Sequence, residues 1–324
     1  MGIARVNNVS ATTPDDTATV VPRQRPYRAF ATRAVVGIGV LGLLLWHYDA
    51  RPALHQVARE RPTFFAAAVG LFVAGQVMSA YRWQLLARIS GLGGPWREYL
   101  TYYFIGMFTN LFVPGLVGGD AARAVYLGRR HHQVGEAVAS VMADRGLGLL
   151  ALFWFAAASA MLVRGVRLPR GVIAATIAVG LAALLGFLAT PILARIAGRL
   201  PPRLARIAEL AAPYLRLPAA LIPAIVLSVI LQASLAICQY LLARGLGLNV
   251  PLAAFMLCVP IANVFASLPI TLNGLGVRET AYLVLFSLAG IAKADAIALS
   301  LLYFAATMIG GLTGVFAFVT TEMP

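Results

Sequence analysis

Long apolar runs are the feature that most constrains how this chain can fold. Eight of them come near the ~20 residues that a helix needs to cross a bilayer. They cover residues 30–48, 63–87, 96–113, 133–163, 171–194, 219–243, 251–269 and 294–320, and a shorter run covers 277–291. Only 12% of the residues are charged, which is about half the share found in soluble domains. We therefore predict an all-α polytopic membrane protein.

The chain divides into a tail and one membrane domain. Residues 1–28 are polar, contain three prolines and show no apolar period, which predicts a disordered N-terminal tail. Residues 29–324 are predicted to form a single transmembrane domain. The first apolar run starts too far into the chain for a cleavable signal peptide, so we expect it to remain as an anchor.

Two stretches interrupt the apolar pattern in a similar way. Residues 110–123 read NLFVPGLVGGDAAR, and residues 263–279 read NVFASLPITLNGLGVRE. Each has an asparagine first, then proline and glycines that stop a helix, then an acid and an arginine. The predicted helix breaks are Pro114, Gly115, Gly118, Gly119, Pro269, Gly274 and Gly276.

The distribution of basic residues indicates how these stretches sit, because cytoplasmic connectors carry an excess of Lys and Arg. If the eight segments simply alternate, with Arg82, Arg88 and Arg97 in one connector, twelve basic residues lie inside and eleven outside. If each broken stretch is the tip of a re-entrant hairpin, the count becomes fifteen inside and eight outside. The sequence therefore predicts a cytoplasmic N-terminus and two re-entrant helical hairpins that enter from opposite sides, a pseudo-inverted repeat.

Ionisable residues at membrane depth form the candidate substrate site. They are Asp120, Arg123, Asp144, Arg145, Arg278 and Glu279. Each costs roughly 2.5–3.5 kcal/mol if it faces lipid alone, so each requires a partner. We predict that the arginines bind an anionic headgroup and that the carboxylates hold them when the site is empty. Mutual pairing that only joins the hairpins is the alternative.

Neighbouring polar residues complete this prediction. Asp144 and Arg145 are adjacent, so they point about 100° apart on a helix and need different partners. Asn110 and Asn263 are expected to satisfy the broken backbone. Four glutamines fall within the apolar runs and either line the groove or hydrogen-bond between helices. They are Gln76, Gln84, Gln232 and Gln239.

Other features argue against nucleic acid, metal and cofactor. The net charge of +14 is spread through short connectors, with no basic domain or aromatic-basic motif, so we expect no nucleic-acid partner. His131 and His132 are adjacent, which predicts an exposed loop pair rather than metal ligands. Cys238 and Cys258 lie in apolar runs and are assigned to packing. Tyr102 and Tyr103, near a run end, are read as interfacial anchors.

The motifs NLFVPGLVGGDAAR, ADRGLGL and LPITLNGLGVRE resemble the lysylphosphatidylglycerol synthase transmembrane, or flippase-like, family. The resemblance covers the chain from about residue 30 onward and implies lipid translocation. In the synthases, a separate soluble domain after the membrane part transfers the aminoacyl group. This chain ends at Pro324, soon after its last apolar run, so we expect no aminoacyl transfer. Asp144 stands where family members often have glutamate, which shortens its reach without changing its charge.

These observations lead to a functional expectation. We expect a flippase or transporter rather than an enzyme, which moves an anionic, phosphate-containing lipid or lipid-linked sugar across the bacterial cytoplasmic (inner) membrane. An integral-membrane transferase acting on lipid-linked substrates is one alternative, and it would turn over a donor. An accessory membrane subunit is the other, and it would move no lipid by itself. The sequence does not specify the lipid, the direction of transport, the energy source or the oligomeric state.

Overall fold

The computed structural model describes residues 55–112, 117–163, 168–189, 209–214, 218–266 and 277–321. This part of the chain is helical and contains no strand, which confirms the all-α prediction. The predicted disordered tail and the first apolar run lie outside the described residues. The domain boundary at residue 28 therefore stays a prediction.

The helices whose bounds are described follow one another along the chain. They are α1 (Pro62–Ile89), α2 (Trp96–Phe112), α3 (Val117–His131), α4 (Val134–Leu162), α5 (Arg170–Leu188), α6 (Ile222–Gly245), α7 (Leu252–Ala266), α8 (Val277–Leu288), α9 (Lys293–Leu312) and α10 (Gly314–Thr320). A short 3-10 helix, Pro218–Leu221, leads into α6.

Five helical stretches in the described residues are long and apolar enough to cross a membrane. They are Pro62–Ile89, Val134–Leu162, Arg170–Leu188, Ala219–Gly245 and Lys293–Thr320. The chain is thus a multi-pass membrane protein. Helices α2, α3, α7 and α8 have only 17, 15, 15 and 12 residues. At 1.5 Å per residue they measure roughly 18–26 Å, less than the ~30 Å hydrocarbon core. Eight separate spanning segments are therefore not confirmed.

Long and short helices occur in a repeated order. The long helix α1 precedes the short pair α2 and α3 and the long helix α4. The long helix α6 precedes the short pair α7 and α8 and the long stretch of α9 and α10. The two members of each short pair pack against each other. This order is compatible with the predicted repeat, but it does not by itself fix membrane orientation, so the inverted repeat stays a prediction.

Helix α1 lies between two apolar clusters. Toward its C-terminal end, Trp83 packs with α2, α3 and α4, and its ring centroid lies 5.2 Å from that of Tyr99. Toward its N-terminal end, Phe72 belongs to a cluster formed with α6 to α9, which includes Phe255 and Phe286. The α1 face between these clusters is where polar side chains collect.

Candidate functional site

Helices α2 and α3 lie antiparallel and in close contact. At one end, Nε2 of His131 lies 3.2 Å from Oε1 of Glu98. Toward the other end, the backbones meet at Gly106 and Gly119, where a Cβ on Gly106 would lie 2.8 Å from the carbonyl oxygen of Gly119. These two glycines therefore permit close packing of α2 against α3. His131 is the last residue of α3 and pairs with α2, so its assignment to an exposed loop pair was wrong.

Asn110 holds the start of α3. Its side-chain Oδ1 accepts a hydrogen bond from the backbone N–H of Gly119 at 2.7 Å. The first N–H groups of a helix have no partner within that helix. Asn110 thus supplies, from a neighbouring helix, the acceptor that an N-cap side chain normally supplies. Asp120, which follows Gly119, lies in the first turn of α3, where the helix dipole favours a carboxylate.

Five charged side chains form a continuous ion-pair network across α1, α3 and α4. Arg145 binds Asp120 in a forked geometry, with Nε–Oδ2 at 2.6 Å and Nη2–Oδ1 at 3.1 Å. Asp120 Oδ1 also lies 3.0 Å from Nη2 of Arg123. Nη1 of Arg123 donates to Asp144 Oδ2 at 3.0 Å, and Nε of Arg82 donates to Asp144 Oδ1 at 2.8 Å. Asp144 and Arg145 therefore have different partners, as their adjacency predicted.

Arg82 is the network member that sequence reasoning missed. The charge count placed it in a connector, whereas it lies inside α1 and is 8% exposed. Its Nη1 donates to Oγ of Ser228 on α6 at 2.9 Å, which ties the network to a fourth helix. The connector assignment was therefore wrong. The available signal was an arginine five residues before the end of a predicted span, where it would cost roughly 2.5–3.5 kcal/mol in lipid.

Arg123 is the central and most enclosed arginine of the network. It is 3% exposed, and its guanidinium carbon lies 5.0 Å from the Trp83 ring centroid and 5.3 Å from that of Tyr103. Both distances are within cation–π range. Tyr103 is thus a site residue rather than only an interfacial anchor. At the other extreme, the Arg145 side chain is 41% exposed and forms the accessible end of the network.

The network lines a cavity of about 450 Å³. Its wall contains the five charged side chains together with apolar residues such as Phe72, Leu235 and Met308. Two of the four glutamines, Gln76 and Gln232, also line it. The other two bond elsewhere, Gln84 to the carbonyl oxygen of Gly94 and Gln239 to the Tyr282 hydroxyl. The cavity wall is therefore amphipathic.

The remaining candidate residues lie partly outside the described structure. The helix breaks Pro114, Gly115, Pro269, Gly274 and Gly276 fall outside the described residues. Arg278 and Glu279 belong to the first turn of α8, but their side chains are not described. Gly118 lies in the first turn of α3. Asn263 lies in α7 and is not among the described residues that line the cavity. Substrate binding by Arg278, Glu279 and Asn263 therefore stays a prediction, and so do the helix breaks at the prolines and glycines.

The described part of the chain contains no group of three or more His, Cys, Asp or Glu side chains arranged to hold a metal ion. Cys238 and Cys258 are both buried free cysteines within the apolar cluster of α6 to α9. Cys238 also contributes to the cavity wall.

Comparison with known protein families gives one match. The model described as lysylphosphatidylglycerol synthase TM region matches residues 30–314. This range includes every residue of the ion-pair network and both helix pairs. A search among curated proteins finds no match to the chain.

Proposed function

Because the chain belongs to the family of the lysylphosphatidylglycerol synthase transmembrane region, we propose that it is a flippase for an anionic, phosphate-containing lipid or lipid-linked sugar. The observation that carries this proposal is the ion-pair network on the wall of an amphipathic cavity between helices. A lipid likewise combines a charged headgroup with apolar tails. The cavity wall offers each part a matching surface.

A purely structural role accounts less well for this arrangement. An ion-pair cluster that only joins helices is most stable when it is electroneutral and closed to water, since unpaired charge in a low-dielectric interior is costly. This network has three arginines and two aspartates, and Arg145 is substantially exposed. The surplus of forked donors at an open cavity is what phosphate recognition requires.

The membrane arrangement that we propose keeps both helix pairs as re-entrant hairpins. Contact between Glu98 and His131 supports this for α2 and α3, because it brings the start of one helix to the end of the other. The chain then returns to the side from which it came, with its tip inside the membrane. With Arg82 removed from the connectors, the proposed count is fourteen basic residues inside and eight outside. This bias supports a cytoplasmic N-terminus in a bacterial inner membrane.

In the proposed mechanism, the headgroup phosphate first meets Arg145. Phosphate oxygens compete with Asp120 for the fork of Arg145, and Arg123 and Arg82 remain held by Asp144 behind it. The tails stay in the bilayer beside the apolar part of the cavity. The lipid crosses chemically unchanged, so the protein acts as a transporter rather than as an enzyme.

The test is a lipid-translocation assay in proteoliposomes that contain only this purified protein. We expect fluorescent anionic lipid to change leaflets with wild-type protein, and the rate to fall at least about tenfold with Arg145→Gln, since one forked phosphate contact is lost. Arg244→Gln is the matched control, because Arg244 lies at the end of α6 and its side chain bonds only Asn249 among the described residues. Absence of movement by folded wild-type protein would reject the proposal.

The same vesicles distinguish the two alternatives. Mass spectrometry of the recovered lipid reports whether its headgroup has been altered, which a transferase would require. Movement that begins only when a membrane extract is added would indicate an accessory subunit.

A further inference from the structure

The ion-pair network has a net charge of +1. Arg82, Arg123 and Arg145 contribute three positive charges, and Asp120 and Asp144 contribute two negative charges. No other charged residue lines the described part of the cavity. The excess positive charge comes from Arg82, since without it the network would have two arginines and two aspartates.

The excess positive charge is not neutralised within the network. All four oxygens of Asp120 and Asp144 already accept from guanidinium groups. No described residue accepts a hydrogen bond from Nη1 of Arg145, whose other two donor nitrogens both bind Asp120. Nη2 of Arg82 also has no described acceptor, since its Nε binds Asp144 and its Nη1 binds Ser228. Of these two donors, Nη1 of Arg145 belongs to the arginine at the accessible end of the network.

We infer that the site selects a lipid whose headgroup is a phosphodiester with one net negative charge. This inference rests on the proposed function and names its substrate class. In a cavity of low dielectric, a ligand that brings the total charge to zero is favoured over one that leaves a net charge of either sign. A monoanion meets this condition. A zwitterion leaves the site at +1, and a phosphomonoester of about −1.5 to −2 makes it negative.

Two kinds of lipid carry this chemistry. One is a glycerophospholipid whose headgroup alcohol is uncharged, and the other is an isoprenoid lipid whose single phosphate bridges to a neutral sugar. Both present one negative phosphodiester to the arginines. The two kinds of lipid differ in their tails and in the group beyond the phosphate. Direct comparison of their translocation in the same vesicles therefore identifies which kind is the substrate.

The experiment measures translocation of fluorescent lipids of different headgroup charge by the purified full chain. The probes with one negative charge are phosphatidylglycerol and a polyprenyl-monophosphate sugar. The zwitterionic probe is phosphatidylethanolamine. The probes with more than one negative charge are phosphatidic acid and a polyprenyl-diphosphate sugar. We expect one or both monoanions to move at least about tenfold faster than the zwitterion and the multiply charged lipids.

Variants of the Arg82–Asp144 ion pair test whether the net charge of the network sets the lipid preference. Asp144→Asn raises the network to +2 and is expected to shift preference toward the multiply charged lipids. Arg82→Gln lowers it to 0 and is expected to reduce the preference for monoanions over the zwitterion. The double variant Arg82→Gln with Asp144→Asn returns the charge to +1 and restores the wild-type order. Arg244→Gln removes a positive charge away from the cavity and leaves the order unchanged.

The outcomes separate the two proposals. Equal movement of all probes by wild-type protein overturns the charge inference while the transport proposal stands. No movement of any probe overturns the transport proposal itself. If the single variants fail to fold by size-exclusion chromatography, the wild-type probe panel alone decides, because the predicted order of lipids needs no variant.

Discussion

Gly119→Ala should separate helices α2 and α3 and disable the site. A Cβ at Gly119 would lie 2.6 Å from Cγ of Asn110 and still closer to the carbonyl oxygen of Gly106, whereas ordinary Cβ contacts fall at 3.4–4 Å. The nearest obstacle is backbone of a packed helix, so it cannot rotate away as a flexible side chain would. The two helices must therefore move apart by roughly 1 Å.

Two costs follow from this movement. Overpacking at a tight contact costs about 1–3 kcal/mol. The hydrogen bond from Gly119 N–H to Asn110 lengthens beyond its present 2.7 Å, and loss of an N-cap acceptor costs about 0.5–2 kcal/mol. The free energy of unfolding should therefore fall by roughly 1.5–5 kcal/mol. Because Asp120 follows Gly119 directly, its fork with Arg145 should also be displaced and translocation lost.

Thermal unfolding in detergent and lipid translocation are both measured for two glycine-to-alanine variants, Gly119→Ala and Gly146→Ala. Gly146→Ala is the matched control, since Gly146 lies inside α4 and a Cβ there meets nothing within 4 Å. Alanine is the better helix former, so this variant should be unchanged or stabilised by up to about 1 kcal/mol. Equal unfolding temperatures for the two variants, or full transport by Gly119→Ala, would refute the reasoning.

Three further predictions concern single side chains. Arg123→Gln leaves two buried carboxylates short of a cation, so it should lower the free energy of unfolding by about 3–5 kcal/mol, whereas Arg244→Gln should change it little; a calorimetric scan of both variants decides. Asn110→Ala removes the acceptor from the start of α3 and should cost about 1 kcal/mol, measured by denaturant titration against Asn249→Ala. Burial raises the pKa of Glu60 above its ordinary value of 4.5, so its contribution to stability is present below pH 4.5 and lost as the pH rises through the folded-state value. Glu60→Gln should therefore unfold at a higher temperature than wild type at pH 7, with the difference shrinking toward pH 4.5; a lower temperature at pH 7 would contradict this.

The site shows how far sequence reasoning reaches. Asp120, Arg123, Asp144 and Arg145 could be selected because charge at membrane depth is costly wherever the partners are, and this cost depends only on local hydropathy. Arg82 has the same property, yet a single arginine near the end of an apolar run reads equally well as the start of a connector. Its partner Asp144 lies 62 residues away in the chain. No local pattern identifies that pairing.

The sequence by itself determined that this is an all-helical membrane protein, because the length of apolar runs is a local property. It also determined that Asp144 and Arg145 need separate partners, since helix geometry fixes the angle between neighbours. Only the tertiary structure decided which partners they take, that Asn110 holds the start of α3, that Tyr103 covers Arg123, and that the network carries one positive charge in excess. The physical reason is that these contacts join different helices, and which helix faces meet is set by packing across the whole bundle.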